Sequence, residues 1–495
     1  MVLRLRHRQT EEELTMNELF PLFEPSTGFI ILLVYGAFAL YMTHRYARGY
    51  NDSKTSFLVA RRELNTWQGS MSVAAAWLWA PGLFISTQQA YVNGLVGLFW
   101  FCLGNFLTLM AFAYFAKLIR NREPNGFTFS GYLRDRLSPR VQWLFVTEMI
   151  ILATCAFAIN LIAGSSTVAT LTGINYTLAT VLMALIAIAY SFRSGLKATV
   201  VTEIIKIIVV WAGVLILVPW AISAAGGWDT VVAGLGGRTG EGAAIFGTPF
   251  AWGIFTGFGA AAFLGHLGGP WGDNSFYQRA FSIKEGSIIP AYVIASFVFI
   301  VVPIMMGLLG FVAAGTGMEI DNVGVTNAIV IGTYLPAFAA IMFAFMIFAG
   351  LVAILDSQFA SIANMTGHDI FNKFKGGSEI TYARVGMVLL AIAGLVVANL
   401  PGMQMLYLFL FFAILRAAVW LPSMIALLRP NWITEAGMFW GILCAALPGE
   451  ALYIYGRMFD GGSTVTFVGT LVAIFGAPVL TLLFSSMGKK EVAEA

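Results

Sequence analysis

Apolar runs long enough to cross a bilayer alternate with short polar stretches along nearly all of the 495 residues. Crossing the hydrocarbon takes about 20 apolar residues in a helix. By that measure the pattern predicts about thirteen spanning segments. They lie near 27–47, 66–91, 95–118, 140–168, 174–192, 197–222, 250–278, 286–314, 335–370, 380–399, 402–427, 433–455 and 464–486. The expected fold is an all-α polytopic membrane protein, because a helix satisfies its own backbone hydrogen bonds in lipid.

Two segments are interrupted in matching ways, about 180 residues apart. One reads Ala74-Ala75-Ala76-Trp77-Leu78-Trp79-Ala80-Pro81-Gly82 and the other Gly265-His266-Leu267-Gly268-Gly269-Pro270-Trp271-Gly272-Asp273. Proline lacks an N–H and clashes with the preceding turn, and glycine makes unwinding cheap. Non-helical backbone at membrane depth is tolerated only where it is buried in protein or lines a wet cavity. Paired breaks in corresponding halves point to the substrate site of a secondary transporter. The expected layout is a leading helix at 27–48, a five-helix repeat at 66–222, a second at 250–427, two peripheral helices at 433–486 and a cytoplasmic tail at 487–495. Because five is odd, the second repeat is inverted in the membrane. Residues 1–26 are expected to be an N-terminal extracellular extension, polar and charged over Met1–Thr15, with Met16 a candidate start.

Composition agrees: 59% of residues are hydrophobic and 11% charged, against about 25% charged in soluble domains. Mean hydropathy is +0.81. The net charge of +3 says little about partners, and the lack of a polybasic run argues against a nucleic-acid partner. Cys102, Cys155 and Cys444 fall in separate apolar segments and read as packed thiols. Cations predict orientation, since cytoplasmic loops collect Lys and Arg. Arg45, Arg48, Lys54, Arg61 and Arg62 fall in one loop, and Arg120, Arg122, Arg134, Arg136 and Arg140 in another on the same side. Arg193 with Lys197, Arg279 with Lys284, Lys373 with Lys375, Arg429 and Lys489-Lys490 follow. The alternation favours an N-out, C-in chain in the cell membrane, with Arg4, Arg6 and Arg8 as the exception.

Charge inside a span is costly and marks function by default. Glu203 and Lys206 are three residues apart and share a helix face. Counting about 1.5 Å per residue from the loops, Lys206 and Asp356 reach similar depth in the inner half. They form a coupling or gating pair, or else Lys206 snorkels and Asp356 bonds locally. Arg416 is too central to snorkel and pairs with a carboxylate or touches solute. Glu148 reads as structurally paired and Glu450 as interfacial. His266 is a hydrogen-bonded structural group or a proton carrier. Trp77, Trp79 and Trp271 either wall a cavity or pack.

Four stretches make the chain resemble the sodium:solute symporter family. They are Ser56-Phe57-Leu58-Val59-Ala60-Arg61-Arg62-Glu63-Leu64, Ser194-Gly195-Leu196-Lys197-Ala198-Thr199 with Thr202-Glu203, Asp273-Asn274-Ser275-Phe276-Tyr277-Gln278-Arg279-Ala280, and Asp356-Ser357-Gln358 with His368-Asp369-Ile370-Phe371. The likeness runs from about residue 27 to 486. It implies the inverted-repeat (LeuT-like) core with discontinuous first and sixth helices. Trp77-Leu78-Trp79-Ala80 and Gly97-Leu98-Phe99-Trp100 look closest to the urea-transporter branch. The resemblance also implies a Na+ held by the carbonyls of Ala75 and Leu78 and by the eighth helix at Gly350, Ala353 and Ile354. The last two carry hydroxyls in sodium-coupled members and none here. Lys206 stands where the family often has a neutral amide, and in the wider fold such a lysine can replace the bound cation. A shifted register would instead bring Asp356 and Ser357 to the ion.

The expectation is a symporter importing a small polar solute by alternating access, as a monomer or weak oligomer. Trp77, Trp79, Gly82, His266, Gly269 and Trp271 are its candidate substrate lining. Ala75, Leu78, Glu203, Lys206, Gly350, Ala353, Asp356 and Ser357 are its candidate ion-coupling set. Na+ is the family default, and H+ coupling or an uncoupled cycle is the variant. A solute sensor on the same core and a channel are the rivals. No nucleophile–base pair, metal cluster or phosphate loop suggests an enzyme. Urea, amino acids, small carboxylates and sugars all remain open as solute.

Overall fold

The computed structural model describes residues 20–46, 53–191, 196–370, 378–459 and 461–494. The N-terminal extension with Arg4, Arg6, Arg8 and Met16 lies outside these residues. So do Arg48, Ser194, Gly195 and the loop cations Arg193, Lys373 and Lys375.

The described chain is helical, with eleven helices long and apolar enough to cross a membrane. The helices that matter here are α1 (Pro25–Tyr46), α2 (Thr66–Trp77), α3 (Ser86–Arg122), α4 (Pro139–Thr172), α5 (Tyr176–Ser191) and α6 (Leu196–Ala224). They are followed by α7 (Ala260–Leu267), α8 (Asn274–Ser282), α9 (Ile288–Gly315), α10 (Ala337–Asn364), α11 (Glu379–Ala398), α12 (Met405–Ala418) and α13 (Trp420–Leu428). Helices α14 (Glu435–Met458) and α15 (Ala477–Glu494) close the chain. The last runs through most of the stretch expected as a tail.

Both interruptions are present. Helix α2 opens on a capping box between Asn65 and Gln68, which fixes its start. It ends at Trp77, where Leu78 leaves helical geometry (φ −84°, ψ 85°), and a π-type turn at Pro81–Ile85 leads into α3. Inside α3 the backbone kinks at Gly94 (φ 68°). A Cβ at Gly94 would lie 2.5 Å from the Leu235 carbonyl oxygen, so only glycine suits both the turn and the contact. This kink falls between the segments expected at 66–91 and 95–118. The second interruption is the 3-10 turn Gly269–Trp271 between α7 and α8.

One end of the molecule is tied together by backbone. Leu64 N–H donates to the Ser282 carbonyl (3.1 Å) and Lys284 N–H to the Leu64 carbonyl (2.9 Å). The loop entering α2 is thus stitched to the loop leaving α8. Arg62 reinforces the seam by donating to the carbonyls of Phe281 (2.9 Å) and Gly126 (2.8 Å). Ala60, Arg61 and Arg62 hold positive φ (45°, 55° and 60°), a region non-glycine residues enter rarely and at a cost. Nearby, Asp369, in the turn that follows α10, accepts from Ser130 (2.6 Å) and Thr128 (2.9 Å) in the segment before α4 and from Gln142 (3.3 Å) at the start of α4. The opposite end holds a cavity of about 290 Å³ lined by Gln88, Ser166, Asn322, Gln404 and Met405 among others.

Several sequence expectations need correction. Arg279, counted as a loop cation, is fully buried, because α8 turns back into the bundle after the break. Glu450, expected at the interface, lies within α14 and is only 7% exposed, because α14 packs that face against α15 and the core. Cys444 is exposed, since an apolar helix has a lipid-facing side as well as a packed one.

Candidate functional site

The first break is closed by protein side chains. Asn160 of α4 accepts the freed N–H of Ala80 through its Oδ1 (3.0 Å) while its amide donates back to Ala156 (2.7 Å). Asn327 donates to the Leu83 carbonyl (2.8 Å). These bonds replace what the helix gives up, which lipid cannot supply.

The two breaks touch. A Cβ on Gly269 would lie 2.3 Å from the Trp77 ring edge and 3.2 Å from Arg416 Nη1, so the second break carries glycine where the first presents tryptophan. Trp77 also meets His266 and Phe276 edge-on, at centroid distances of 6.1 and 5.2 Å. Trp79 packs on Phe409 and Phe412 of α12 (5.9 and 5.0 Å). His266 is fully buried between Phe101 and Phe409, with Nε2 2.9 Å from the Asn105 amide. Arg416 sits over Phe412, Trp77 and Trp79 at 4.5, 5.2 and 5.9 Å, and its Nε donates to the Gly265 carbonyl (2.9 Å).

Not every expected lining residue arrives here. Trp271 packs on Phe112 and Phe115 instead (5.3 and 4.8 Å). It lies two residues beyond Gly269 in a 3-10 turn, where about 120° per residue carries it to the other side. Gly82 faces Phe299 of α9 and Leu78 rather than the ring cluster. The expected carboxylate partner of Arg416 is likewise absent among the described residues, which give the guanidinium a carbonyl and aromatic faces instead. Glu148, expected to be paired, has no hydrogen-bond partner there for either oxygen.

A second cluster joins α2, α6, α8 and α10. Lys206 Nζ bonds Asp356 Oδ2, and both side chains are 5% exposed. Asp356 Oδ1 accepts from Ser191 at the end of α5 (2.7 Å). One turn along α6, Glu203 accepts from Arg279 (2.5 Å), Ser357 (2.5 Å) and Ser72 (2.5 Å). Arg279 further donates to the Ser72 hydroxyl and carbonyl (2.9 and 3.1 Å), to the Ser275 carbonyl (3.0 Å) and to Ser357 (2.9 Å). Both ion pairs use α6, α10 enters them through Asp356 in one and the Ser357 hydroxyl in the other, and the four charges sum to zero. Sequence reasoning found Glu203, Lys206, Asp356 and Ser357 and missed Arg279, Ser72 and Ser191. The signal for Arg279 was the break before it, which allows a short helix after the break to re-enter the bundle.

The backbone-derived ion site is less evident. Ala75 and Leu78 are buried at the end of α2, and Leu78 N–H returns to the Ala74 carbonyl (2.8 Å). Gly350 faces the Leu83 and Val210 side chains. Ala353 is on α10, but its side chain lies outside the described residues.

Opposed half-helix breaks, ringed by aromatics and flanked by a buried charge cluster, define a transporter with discontinuous helices. The chain belongs to the sodium:solute symporter family, whose profile matches residues 57–445. It is similar to the Oryza sativa subsp. japonica urea–proton symporter DUR3, at 22% identity over 92% of this chain and 70% of the relative. It is also 25% identical to a Schizosaccharomyces pombe protein described as "Probable urea active transporter 1", over 58% of this chain and 44% of that one. The chain thus spans less than half of the fission-yeast relative. A Na+-coupled sialic acid symporter in a substrate-bound outward-open state shares the fold, with a TM-score of 0.75, 15% identity, and 93% and 98% coverage of the two chains.

Proposed function

We propose that this chain is a proton-coupled symporter that imports a small polar solute, urea being the leading candidate. The observation that carries the reading is the buried Lys206–Asp356 ion pair, whose carboxylate lies on α10, the helix on which the resemblance implies a cation site at Gly350, Ala353 and Ile354 or, in a shifted register, at Asp356. An ammonium held there supplies the positive charge that a sodium ion would bring. A proton exchanging on Asp356 breaks the pair and makes the contact between α6 and α10 depend on protonation. The second oxygen cluster, Ser72, Glu203 and Ser357, is already served by the Arg279 guanidinium. The relatives named for urea transport, one of them described as a urea–proton symporter, support the same solute and ion.

In this reading solute enters from the 290 Å³ cavity, passes Trp79 and rests where Trp77, His266 and Gly269 meet. The seam at Leu64, Arg62 and Ser282 keeps the other end shut meanwhile. The basic loops support a cytoplasmic position for that shut end, with the N-terminus outside. Uptake into proteoliposomes under imposed gradients tests it. Accumulation is expected with an inward proton gradient and without sodium. Accumulation driven by sodium alone, and kept by Lys206→Ala, overturns it.

A further inference from the structure

Several buried polar atoms with no partner among the described residues lie at the second break. Arg416 is 1% exposed, yet its Nη2 has no acceptor among the described residues. Trp77, whose ring lies under it, has an indole N–H without a partner among the described residues. Three residues past Gly269, a Cβ on Gly272 would lie 2.5 Å from Glu148 Oε1 and 2.8 Å from Arg416 Cβ. Glu148 is 6% exposed, and both its oxygens lack donors. The break therefore has donors at Arg416 and Trp77 and an acceptor at Glu148, each packed close against the backbone of Gly269 or Gly272. Buried polar groups left unpaired carry a large penalty, and a ligand that pairs them gains what the empty site lacks.

We infer that Arg416 is a substrate-binding residue, and that the solute it takes is a small uncharged planar amide. The amide oxygen accepts from Nη2, the flat solute lies among the Trp77, Trp79 and Phe412 rings, and its N–H groups turn toward Glu148. A planar guanidinium suits a trigonal carbonyl better than an ammonium would. The fixed cation excludes cationic solutes such as amines. A carboxylate solute would satisfy Arg416 but bring no donor for Glu148. The inference rests on the transport reading above and assigns to that site a residue and a solute chemistry.

The test compares urea with thiourea, whose sulfur accepts hydrogen bonds poorly, and with acetate. Binding is read in detergent as the thermal shift of purified protein at rising ligand concentration. Uptake into proteoliposomes is read separately. Wild-type protein is expected to bind urea well above thiourea and acetate. Arg416→Gln is expected to weaken urea about ten- to hundredfold, the range for a bond to a charged group, and to bring the urea-to-thiourea ratio near one. Arg416→Lys keeps the charge, folds where the glutamine variant does not, and is expected to show an intermediate ratio. A folded variant with an unchanged ratio overturns the assignment, as does acetate binding more tightly than urea. Binding with the expected ratio but no uptake sustains the assignment while overturning the transport reading.

Discussion

Lys206 and Asp356 meet inside the bundle although 150 residues separate them in the chain, and both side chains are buried. Removing one partner of such a pair leaves a bare charge in low dielectric, at a cost of about 3–5 kcal/mol. Asp356→Asn should therefore lower the unfolding temperature and abolish uptake. The double replacement Lys206→Met with Asp356→Leu should recover most of the stability, because apolar substitutes for buried ion pairs are often neutral or better. Uptake should stay lost. Thermal unfolding in detergent and proteoliposome uptake on the same preparations check both parts; recovered uptake in the double variant refutes a coupling role.

Glu203 and Arg279 call for a different comparison. Arg279 donates to Glu203, Ser72, Ser275 and Ser357 from one planar fork, a set a lysine cannot reach together. Arg279→Lys should retain charge balance but lose most uptake and several degrees of melting temperature. Uptake equal to wild type would show that the fork geometry is not needed.

Steric contact between the breaks gives a third expectation. Gly269→Ala places a methyl 2.3 Å from the Trp77 ring edge. Overpacking of this kind costs about 1–3 kcal/mol, and it falls where the half-helices touch, so uptake should suffer more than folding. Trp77→Phe in the same chain makes room and should restore part of the uptake; full activity of Gly269→Ala alone would show that the breaks separate freely.

The seam offers a fourth. Arg62→Ala removes two bonds that hold the loop before α2 to Phe281 and Gly126. A cysteine at Ser282, fully buried in the sealed form, should then react faster with a membrane-impermeant maleimide from that side. Equal labelling rates with and without Arg62 would mean the backbone bonds of Leu64 hold the seam alone.

Much of the frame was legible in the sequence, for a physical reason. Hydropathy and rise per residue report depth along the membrane normal, so the spans, both breaks and the common depth of Lys206 and Asp356 could be read from residue types and spacing. They do not report azimuth. Trp271 and Gly82 stood at the right depth and face away from the ring cluster. Arg416 stood mid-span, yet what it meets is a carbonyl and three rings, a choice made by helices hundreds of residues apart. Arg279 was misread because a cation just beyond an apolar run looks like a loop residue until the break before it is known to fold inward.

The neutral sum of Glu203, Lys206, Arg279 and Asp356 has an electrical consequence. One elementary charge crossing 100 mV is worth about 2.3 kcal/mol. With its four charges balanced, the empty cluster can move through the field without work being done on it. A proton added to Asp356 leaves one uncompensated positive charge, so an inside-negative voltage would drive the loaded stroke inward and leave the empty return almost untouched. The carrier would then rectify: its turnover would rise with membrane potential in the importing direction, with the return step setting a voltage-independent ceiling.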